Sequence, residues 1–183
     1  MIMKKFVFAT LMCVAAMSAK AQVLTSETVK NVYEAVSNKA DGDYCYNAER
    51  KGKDITTMLV YQKATNSKGD ITLTPHLKYE YDYALDGTLK NRVTYRWNDS
   101  HQDWECTARY DYTLTDNSYF AEFSRYNEKA NRFDQPLDKM VYTLHEKDSI
   151  NHVICYHRDR PSASFQLISE TAVKEPFMLL AKK

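Results

Sequence analysis

The stretch from Leu77 to Tyr156 repeats one pattern about two and a half times, with a period of roughly 30 residues that is typical of repeated structural units. Successive copies begin at Lys78-Tyr79-Glu80-Tyr81, Arg109-Tyr110-Asp111-Tyr112 and Lys139-Met140-Val141-Tyr142. Between them recur Arg96-Trp97-Asn98, Arg125-Tyr126-Asn127 and Cys155-Tyr156-His157. A second aromatic residue follows in two copies, Trp104 after Trp97 and Phe133 after Tyr126. The repeat predicts an architecture and no reaction.

Residues alternate with period two from Tyr44 onward, as in half-buried strands. The predicted strands are Tyr44–Glu49, Ile55–Lys63, Ile71–Leu85, Leu89–Trp97, Asp103–Leu114, Tyr119–Tyr126, Arg132–Leu144, Ile150–Arg158 and Ser164–Ser169. Gly52 and Asp86-Gly87 are typical of hairpin turns. Because every connection is too short for a parallel crossover, neighbours must pair antiparallel. We therefore predict an all-β protein with a single antiparallel β-meander sheet of nine or ten strands, strongly twisted or curled.

The alternation also predicts two unlike sheet faces. The predicted aromatic face carries Tyr79, Tyr81, Tyr83, Leu85, Val93, Tyr95, Trp97, Trp104, Cys106, Ala108, Tyr110, Tyr112 and Leu114. The predicted charged face carries Lys78, Glu80, Asp82, Arg92, Thr94, Arg96, Asp103, Glu105, Arg109 and Asp111. Large aromatic side chains gain too much from burial to remain in water. The aromatic face must therefore curl, be covered by the termini, or meet another molecule.

The first 21 residues are typical of a secretory signal peptide. Lys4 and Lys5 precede an apolar run from Phe6 to Met17, and Ala19-Lys20-Ala21 fits a cleavage site before Gln22. The run is short for a membrane anchor, and the residues before Cys13 do not fit a lipidation site. The expected organisation is a signal peptide at 1–21, a leader at 22–43 and one β domain at 44–183.

Two segments flank the predicted sheet. From Ser26 to Val36 the apolar residues recur with helical spacing, and Ser26 is a candidate N-cap. A disordered leader is the alternative. At the other end, the run from Pro176 to Ala181 is apolar enough to cover one end of the aromatic face.

Composition excludes several classes of protein. Without residues 1–21, 22 basic residues face 24 acidic ones, which is not the basic footprint of a nucleic-acid binder. The wide spacing of Cys45, Cys106 and Cys155 supports neither a disulfide framework nor a Cys-x-x-Cys zinc site, although one disulfide remains open. We predict no metal, no cofactor and no membrane span in the mature chain.

The motifs resemble a family of small secreted proteins from gut Bacteroidetes, catalogued as domain of unknown function 3836. The resemblance rests on the Lys-Tyr-x-Tyr strand, the Asp-Gly turn and the strand that ends in Arg-Trp-Asn, with a second Trp after it. Leu77–Trp104 and Arg109–Phe133 carry it, Lys139–His157 more loosely, and the hairpin from Tyr44 to Tyr61 matches the family's opening hairpin. The resemblance implies a periplasmic or secreted all-β protein and no catalytic residues.

Aromatic residues near the turns are the candidate binding site. The set is Trp97, Trp104, Tyr126, Phe133 and Tyr156. Such rings stack on sugars or anchor protein partners, but they also pack the cores of curled sheets. The function that we expect is a non-catalytic binding or interaction module of the periplasm or cell surface, for a glycan, a peptide or an envelope protein. A structural role in a homo-oligomer is close to it.

The alternative function is a carbohydrate-active hydrolase. It would use paired carboxylates on the charged face, where the candidates are Glu80, Asp82, Glu105, Asp111 and Glu122. Basic residues share that face, so cross-strand ion pairs are the favoured interpretation. Among the histidines, only His157 lies near a cysteine, Cys155, with a spacing suited to metal ligands. The sequence therefore favours a protein without enzymatic activity, but it does not decide the question.

Overall fold

A computed structural model describes residues 23–38, 42–145 and 149–172 of the 183-residue chain. It consists of one helix and ten strands, namely α1 Ser26–Ser37, β1 Tyr44–Lys51, β2 Asp54–Thr65, β3 Ile71–Tyr83, β4 Leu89–Asn98, β5 Asp103–Leu114, β6 Ser118–Asn127, β7 Arg132–Phe133, β8 Asp138–His145, β9 Ser149–His157 and β10 Gln166–Ala172. The expected signal peptide and the apolar run from Pro176 to Ala181 lie outside the described residues.

All ten strands belong to one antiparallel sheet in meander order, β1-β2-β3-β4-β5-β6-β8-β9-β10, with β7 paired to β6 beside this path. The sheet is open, and β1 and β10 are its edge strands. The predicted all-β meander is confirmed. Its order follows from the short connections, which bring each strand back beside the one before it.

Helix α1 replaces the alternative of a disordered leader. Its N-cap is Thr25 and not Ser26, because the Thr25 hydroxyl accepts the backbone N–H of Thr28 at 3.3 Å. The Thr28 hydroxyl in turn accepts the backbone N–H of Thr25 at 3.3 Å, which completes a capping box. The prediction missed this box because Thr28 stands where the usual pattern has Glu or Gln.

The N-terminal segment and α1 cover the side of the sheet that we call the tyrosine face, defined by Tyr79, Tyr81, Tyr83, Tyr110 and Tyr112. One buried cluster consists of Val23, Leu89, Tyr112, Tyr119, Ala121 and Met140. A second consists of Val29, Ile55 and Met58. The expectation that a terminus covers an aromatic face therefore holds for the N-terminal side. Backbone hydrogen bonds from Leu89 to Leu24 and from Ser26 to Gly87 fasten this cover to the β3–β4 hairpin.

The opposite side of the sheet, which we call the cation face, is defined by Lys78, Glu80, Arg109 and Asp111. Both faces contain residues that the alternation assigned to the wrong side. In β4, Arg92 pairs with Tyr81, and Tyr95 pairs with Lys78. Because directly paired residues share a face, Val93, Tyr95 and Trp97 lie on the cation face and Arg92 and Thr94 on the tyrosine face. The predicted faces of β4 were wrong.

A β-bulge causes a second error, in β5. Thr94 pairs with Ala108 but Tyr95 pairs with Cys106, so one extra β5 residue, Thr107, interrupts the alternation. Trp104 and Cys106 therefore lie on the cation face, whereas Ala108, Tyr110 and Tyr112 lie on the tyrosine face. Glu105, which was grouped with Glu80, points to the other side.

The predicted strand from Arg132 to Leu144 is two strands, β7 and β8, with Pro136 between them. Proline cannot donate to a sheet ladder, and its position was a signal against one continuous strand. The Pro136 carbonyl instead accepts a hydrogen bond from the Arg158 Nε at 2.8 Å. The prediction that Leu85 belongs to strand β3 and to the aromatic face was also wrong. Strand β3 ends at Tyr83, and the Leu85 side chain is fully exposed in the turn.

Candidate functional site

Trp97 and Trp104, the two tryptophans of the chain, lie directly opposite each other beside the turn of the β4–β5 hairpin. Their ring centroids are 5.2 Å apart, and the planes meet at 69° in an edge-to-face arrangement. Both side chains are half-buried. This geometry is favoured between aromatic rings because the positive edge of one ring meets the negative face of the other.

Tyr126 and Phe133 repeat this arrangement one hairpin further along the chain. They pair directly across β6 and β7, with ring centroids 5.3 Å apart and planes at 70°. The Tyr126 hydroxyl donates a hydrogen bond to the Asn131 side-chain oxygen, which fixes the ring against its own turn. Asn131 has a φ of 49°, a left-handed conformation that asparagine tolerates better than most residues.

Each aromatic pair has a basic side chain beside it. The Lys78 ammonium lies 4.0 Å from the centre of the Tyr95 ring and 6.0 Å from that of Trp104. The Arg109 guanidinium lies 4.5 Å from the centre of the Phe133 ring. Lys78 and Arg109 open the first two copies of the tetrapeptide pattern, so their sequence positions are equivalent as well. The repeat itself remains a prediction.

Each of these cations forms an ion pair with an acidic residue two positions further along its own strand. Lys78 lies 2.8 Å from Glu80, and Arg109 lies 2.8 Å from Asp111. These ion pairs form within one strand, not across strands as the sequence suggested. Residues two apart share a face, which brings the opposite charges together.

Glu80 also accepts a hydrogen bond from the Tyr95 hydroxyl at 2.7 Å. Partial burial by itself raises the pKa of Glu80, but the hydrogen bonds from Lys78 and Tyr95 outweigh it and hold the pKa below its ordinary value. The Tyr95 pKa is raised, first by burial and then by the Glu80 carboxylate. At neutral pH the three groups therefore form a closed network of an ammonium, a carboxylate and a neutral phenol.

The two aromatic pairs, the two cations beside them and Tyr95 form a surface that we call the paired-ring surface. Its members are Lys78, Tyr95, Trp97, Trp104, Arg109, Tyr126 and Phe133. The structure thus brings together four of the five candidate aromatics in two pairs. Tyr156, the fifth, lies on the same face but pairs in register with Lys139 and Leu167, and no ring contact joins it to the pairs within the described residues. Sequence reasoning missed Lys78, Arg109 and Tyr95, although the shared first position of the tetrapeptides was a signal for the two cations.

The candidate carboxylates of a hydrolase are distributed over both faces. Besides Glu80 and Asp111, Asp82 contacts Lys90 at 3.4 Å, and Glu105 contacts His101 at 3.0 Å. Glu122 pairs in register with Asp111 on one side and with Lys139 on the other. Of these five acids, four are held by a basic group within 4 Å.

Other chemistry has little support in the described part of the chain. Cys45, Cys106 and Cys155 are free thiols, so the open alternative of a disulfide among them is not realised. His157 contacts Asp138 at 2.7 Å through Nδ1. No cluster of three metal-ligating side chains occurs among residues 23–38, 42–145 and 149–172. Within the same ranges, no helix has the length and apolar character needed to cross a membrane.

Solved structures that are similar to this chain come from Bacteroidetes. A protein of unknown function from Bacteroides fragilis superposes with a TM-score of 0.61 at 19% identity, over 72% of this chain and 93% of that one. A DUF3836 family protein from Bacteroides vulgatus gives 0.49 at 21% identity, over 57% and 100%. Another from Parabacteroides distasonis gives 0.48 at 17% identity, over 55% and 90%.

No curated protein matches the sequence. The similarity to the Bacteroides fragilis structure, at 19% identity, supports the architecture alone. The sequence evidence is more specific, since the family model described as "Family of unknown function (DUF3836)" matches residues 1–144. This range includes all three tetrapeptides and both aromatic pairs. The chain therefore belongs to the DUF3836 family, whose function is unknown.

Proposed function

We propose that the protein is a non-catalytic binding module, exported to the periplasm or cell surface, and that the paired-ring surface is its binding site. The observation that carries this proposal is the placement of two edge-to-face aromatic pairs, each beside a cation, on one sheet face. The cover formed by α1 and the N-terminal segment lies on the other face. The half-buried rings of the cation face are therefore not committed to that core.

The charge arrangement favours a neutral ligand. Each cation of the paired-ring surface already contacts an acid, Lys78 with Glu80 and Arg109 with Asp111, so the two pairs carry no net charge. An acidic ligand would have to compete with these carboxylates. The half-buried aromatic rings of this surface are instead suited to stacking on the apolar faces of sugar rings. We therefore propose a neutral glycan as the ligand class, ahead of a peptide or an envelope protein.

The hydrolase alternative gains no support from this geometry. A general acid needs a carboxyl group whose pKa is raised, whereas the pKa of Glu80 is lowered and its carboxylate is held by Lys78 and Tyr95. Asp111 is held by Arg109 at 2.8 Å. Both carboxylates have an evident role in orienting cations beside aromatic rings.

Tryptophan emission is a local probe of the proposed site because both tryptophans of the chain belong to it. The chain from Gln22 should be titrated with neutral oligosaccharides, such as β-glucan, xylan and mannan fragments. We expect a saturable change in emission with at least one of them. Calorimetry should then show that W97A and F133A each weaken binding by about tenfold or more, since loss of a binding hot spot costs at least about 1.4 kcal/mol.

A matched control is Phe120, which lies on the same face 4.7 Å from the Lys139 ammonium but has no ring partner among the described residues. The F120A variant should retain the affinity of the unaltered chain. An emission spectrum unmoved by the whole panel would contradict the glycan proposal. Binding that F120A weakens as much as W97A would place the ligand elsewhere on the face.

Export is tested separately. Cell fractionation followed by N-terminal sequencing should find the protein outside the cytoplasm, beginning at Gln22. A cytoplasmic protein that retains residues 1–21 would contradict the proposed location, whatever the outcome of the ligand titration.

A further inference from the structure

Arg92 lies in the middle of the tyrosine face, on β4. It pairs in register with Tyr81 of β3 and Tyr110 of β5. Its guanidinium carbon is 5.2 Å from the centre of the Tyr79 ring and 4.7 Å from that of the Tyr110 ring. The side chain is half-buried, and it is held between two aromatic rings.

The Arg92 guanidinium lacks the partner that comparable cations have. Lys78 and Arg109 each combine a ring contact with an acid at 2.8 Å, but Arg92 forms no ion pair with any described residue. Its Nε is buried and makes no hydrogen bond within the described part of the protein. The nearby Tyr112 hydroxyl is also buried and makes no hydrogen bond with the described residues.

The acid that shares a cross-strand row with Arg92 cannot serve as its counterion. This row continues from Arg92 through Tyr110 and Phe123 to Asp138. Asp138 is three strands away, a separation of about 14 Å at the usual strand spacing. It is also buried and contacts His157 at 2.7 Å.

This combination is energetically unfavourable unless an anion binds. Ring faces attract a cation, but they leave its N–H donors unsatisfied. A partly desolvated charge is normally paired, because burying a charged group without a partner is energetically costly. The planar guanidinium, already fixed by two rings, is suited to a bidentate contact with a carboxylate or phosphate.

We propose that Arg92 is the centre of an anion-binding site on the tyrosine face, which takes a carboxylate or phosphate group between the Tyr79 and Tyr110 rings. Because Nε is buried, the ligand approaches the two terminal nitrogens. This site lies on the opposite side of the sheet from the paired-ring surface and is independent of it.

Thermal unfolding with added anion tests the proposal. Inorganic phosphate and acetate should each be titrated into the chain from Gln22 against sodium chloride of equal ionic strength. We expect a saturable rise in Tm with at least one of the two anions. R92M, which removes the charge, should abolish this rise, and R92K, which keeps the charge but not the planar fork, should raise the half-saturating concentration about tenfold.

R125M is the matched control. Arg125 is exposed on the same face, in register with Ala108 of β5, so it reports any general effect of anions on a basic surface. R125M should respond to phosphate as the unaltered chain does. R92M should fold without phosphate, with a Tm equal to or above that of the unaltered chain, because an unpaired half-buried cation is removed.

If the unaltered chain responds saturably to neither phosphate nor acetate, or if R92M keeps the response, the proposal is overturned.

Discussion

Lys78 and Tyr95 lie directly opposite each other on β3 and β4, and the Lys78 ammonium is 4.0 Å from the centre of the Tyr95 ring. The Glu80 carboxylate accepts a hydrogen bond from each of them, from the Lys78 ammonium at 2.8 Å and from the Tyr95 hydroxyl at 2.7 Å. The basic group beside the tryptophan pair is therefore fixed from two directions. Its position depends on a carboxylate that titrates at acid pH.

The pH dependence of folding should report this network. Because the pKa of Glu80 in the folded protein lies below 4.5, its stabilising contribution is complete above that value and is lost as the pH falls through the folded pKa. In K78M the Glu80 pKa rises. The free energy of unfolding of K78M, measured in urea well above and well below pH 4.5, should therefore change less between the two conditions than that of the unaltered chain.

K90M is the control for this comparison. Lys90 contacts Asp82 at 3.4 Å, and both side chains are more than half exposed, so the pair should contribute little to stability. The pH profile of K90M should follow that of the unaltered chain. A K78M profile parallel to the unaltered one would show that Glu80 does not depend on Lys78.

The architecture could be predicted because strand alternation and short connections are local properties. The strand Asp103–Leu114 was predicted with the bounds that the structure has, and the meander follows from turns such as Asp86-Gly87. The sheet face on which a side chain lies depends instead on the register between neighbouring strands. A single inserted residue, Thr107, reverses the relation of Cys106 to Ala108, and the alternation of β5 alone gives no sign of it.

The prediction of the candidate site from the sequence was limited in the same way, because part of the site depends on the register between strands. The pairing of Trp97 with Trp104 and of Tyr126 with Phe133 is a hairpin property, so their spacing near turns pointed to it. Lys78 joins the first pair only because β3 is registered against β4. Arg92 was placed on the charged face for the same reason, since no property of β4 by itself shows that its neighbours there are tyrosines.

Tyr83 and Tyr112 provide a test of hydrogen bonding beneath the N-terminal cover. The Tyr83 hydroxyl donates to the Ile55 carbonyl at 2.8 Å. The Tyr112 hydroxyl is buried with no partner among the described residues, and burial raises its pKa to about 12. Y83F should lower the free energy of unfolding by about 1–3 kcal/mol, because it leaves a buried carbonyl unsatisfied.

Y112F should be neutral or stabilising, because it removes a desolvated hydroxyl and leaves no partner behind. Urea unfolding of both variants gives the comparison directly. Equal losses in Y83F and Y112F would mean that the Tyr112 hydroxyl has a partner in solution.

The β3–β4 hairpin offers a second matched pair in Leu89 and Leu85. Leu89 is 2% exposed and packs with Val23, whereas Leu85 is fully exposed in the turn. L89A should lower the free energy of unfolding by about 2–5 kcal/mol through lost burial and a residual cavity. L85A should leave it unchanged within about 0.5 kcal/mol. A large loss in L85A would show that this exposed leucine is covered in solution.

The N-cap of α1 decides how firmly the cover is held on the tyrosine face. T25A removes the hydroxyl that accepts the Thr28 N–H, and it should lower the free energy of unfolding by about 1 kcal/mol. S26A changes the neighbouring hydroxyl, which is not the cap, and should have little effect. Hydrogen exchange provides the structural readout, because T25A should speed exchange in α1 and at Leu89, whose N–H is bonded to the Leu24 carbonyl at 2.9 Å. If S26A destabilises the protein as much as T25A, the helix begins one residue later in solution than the capping box indicates.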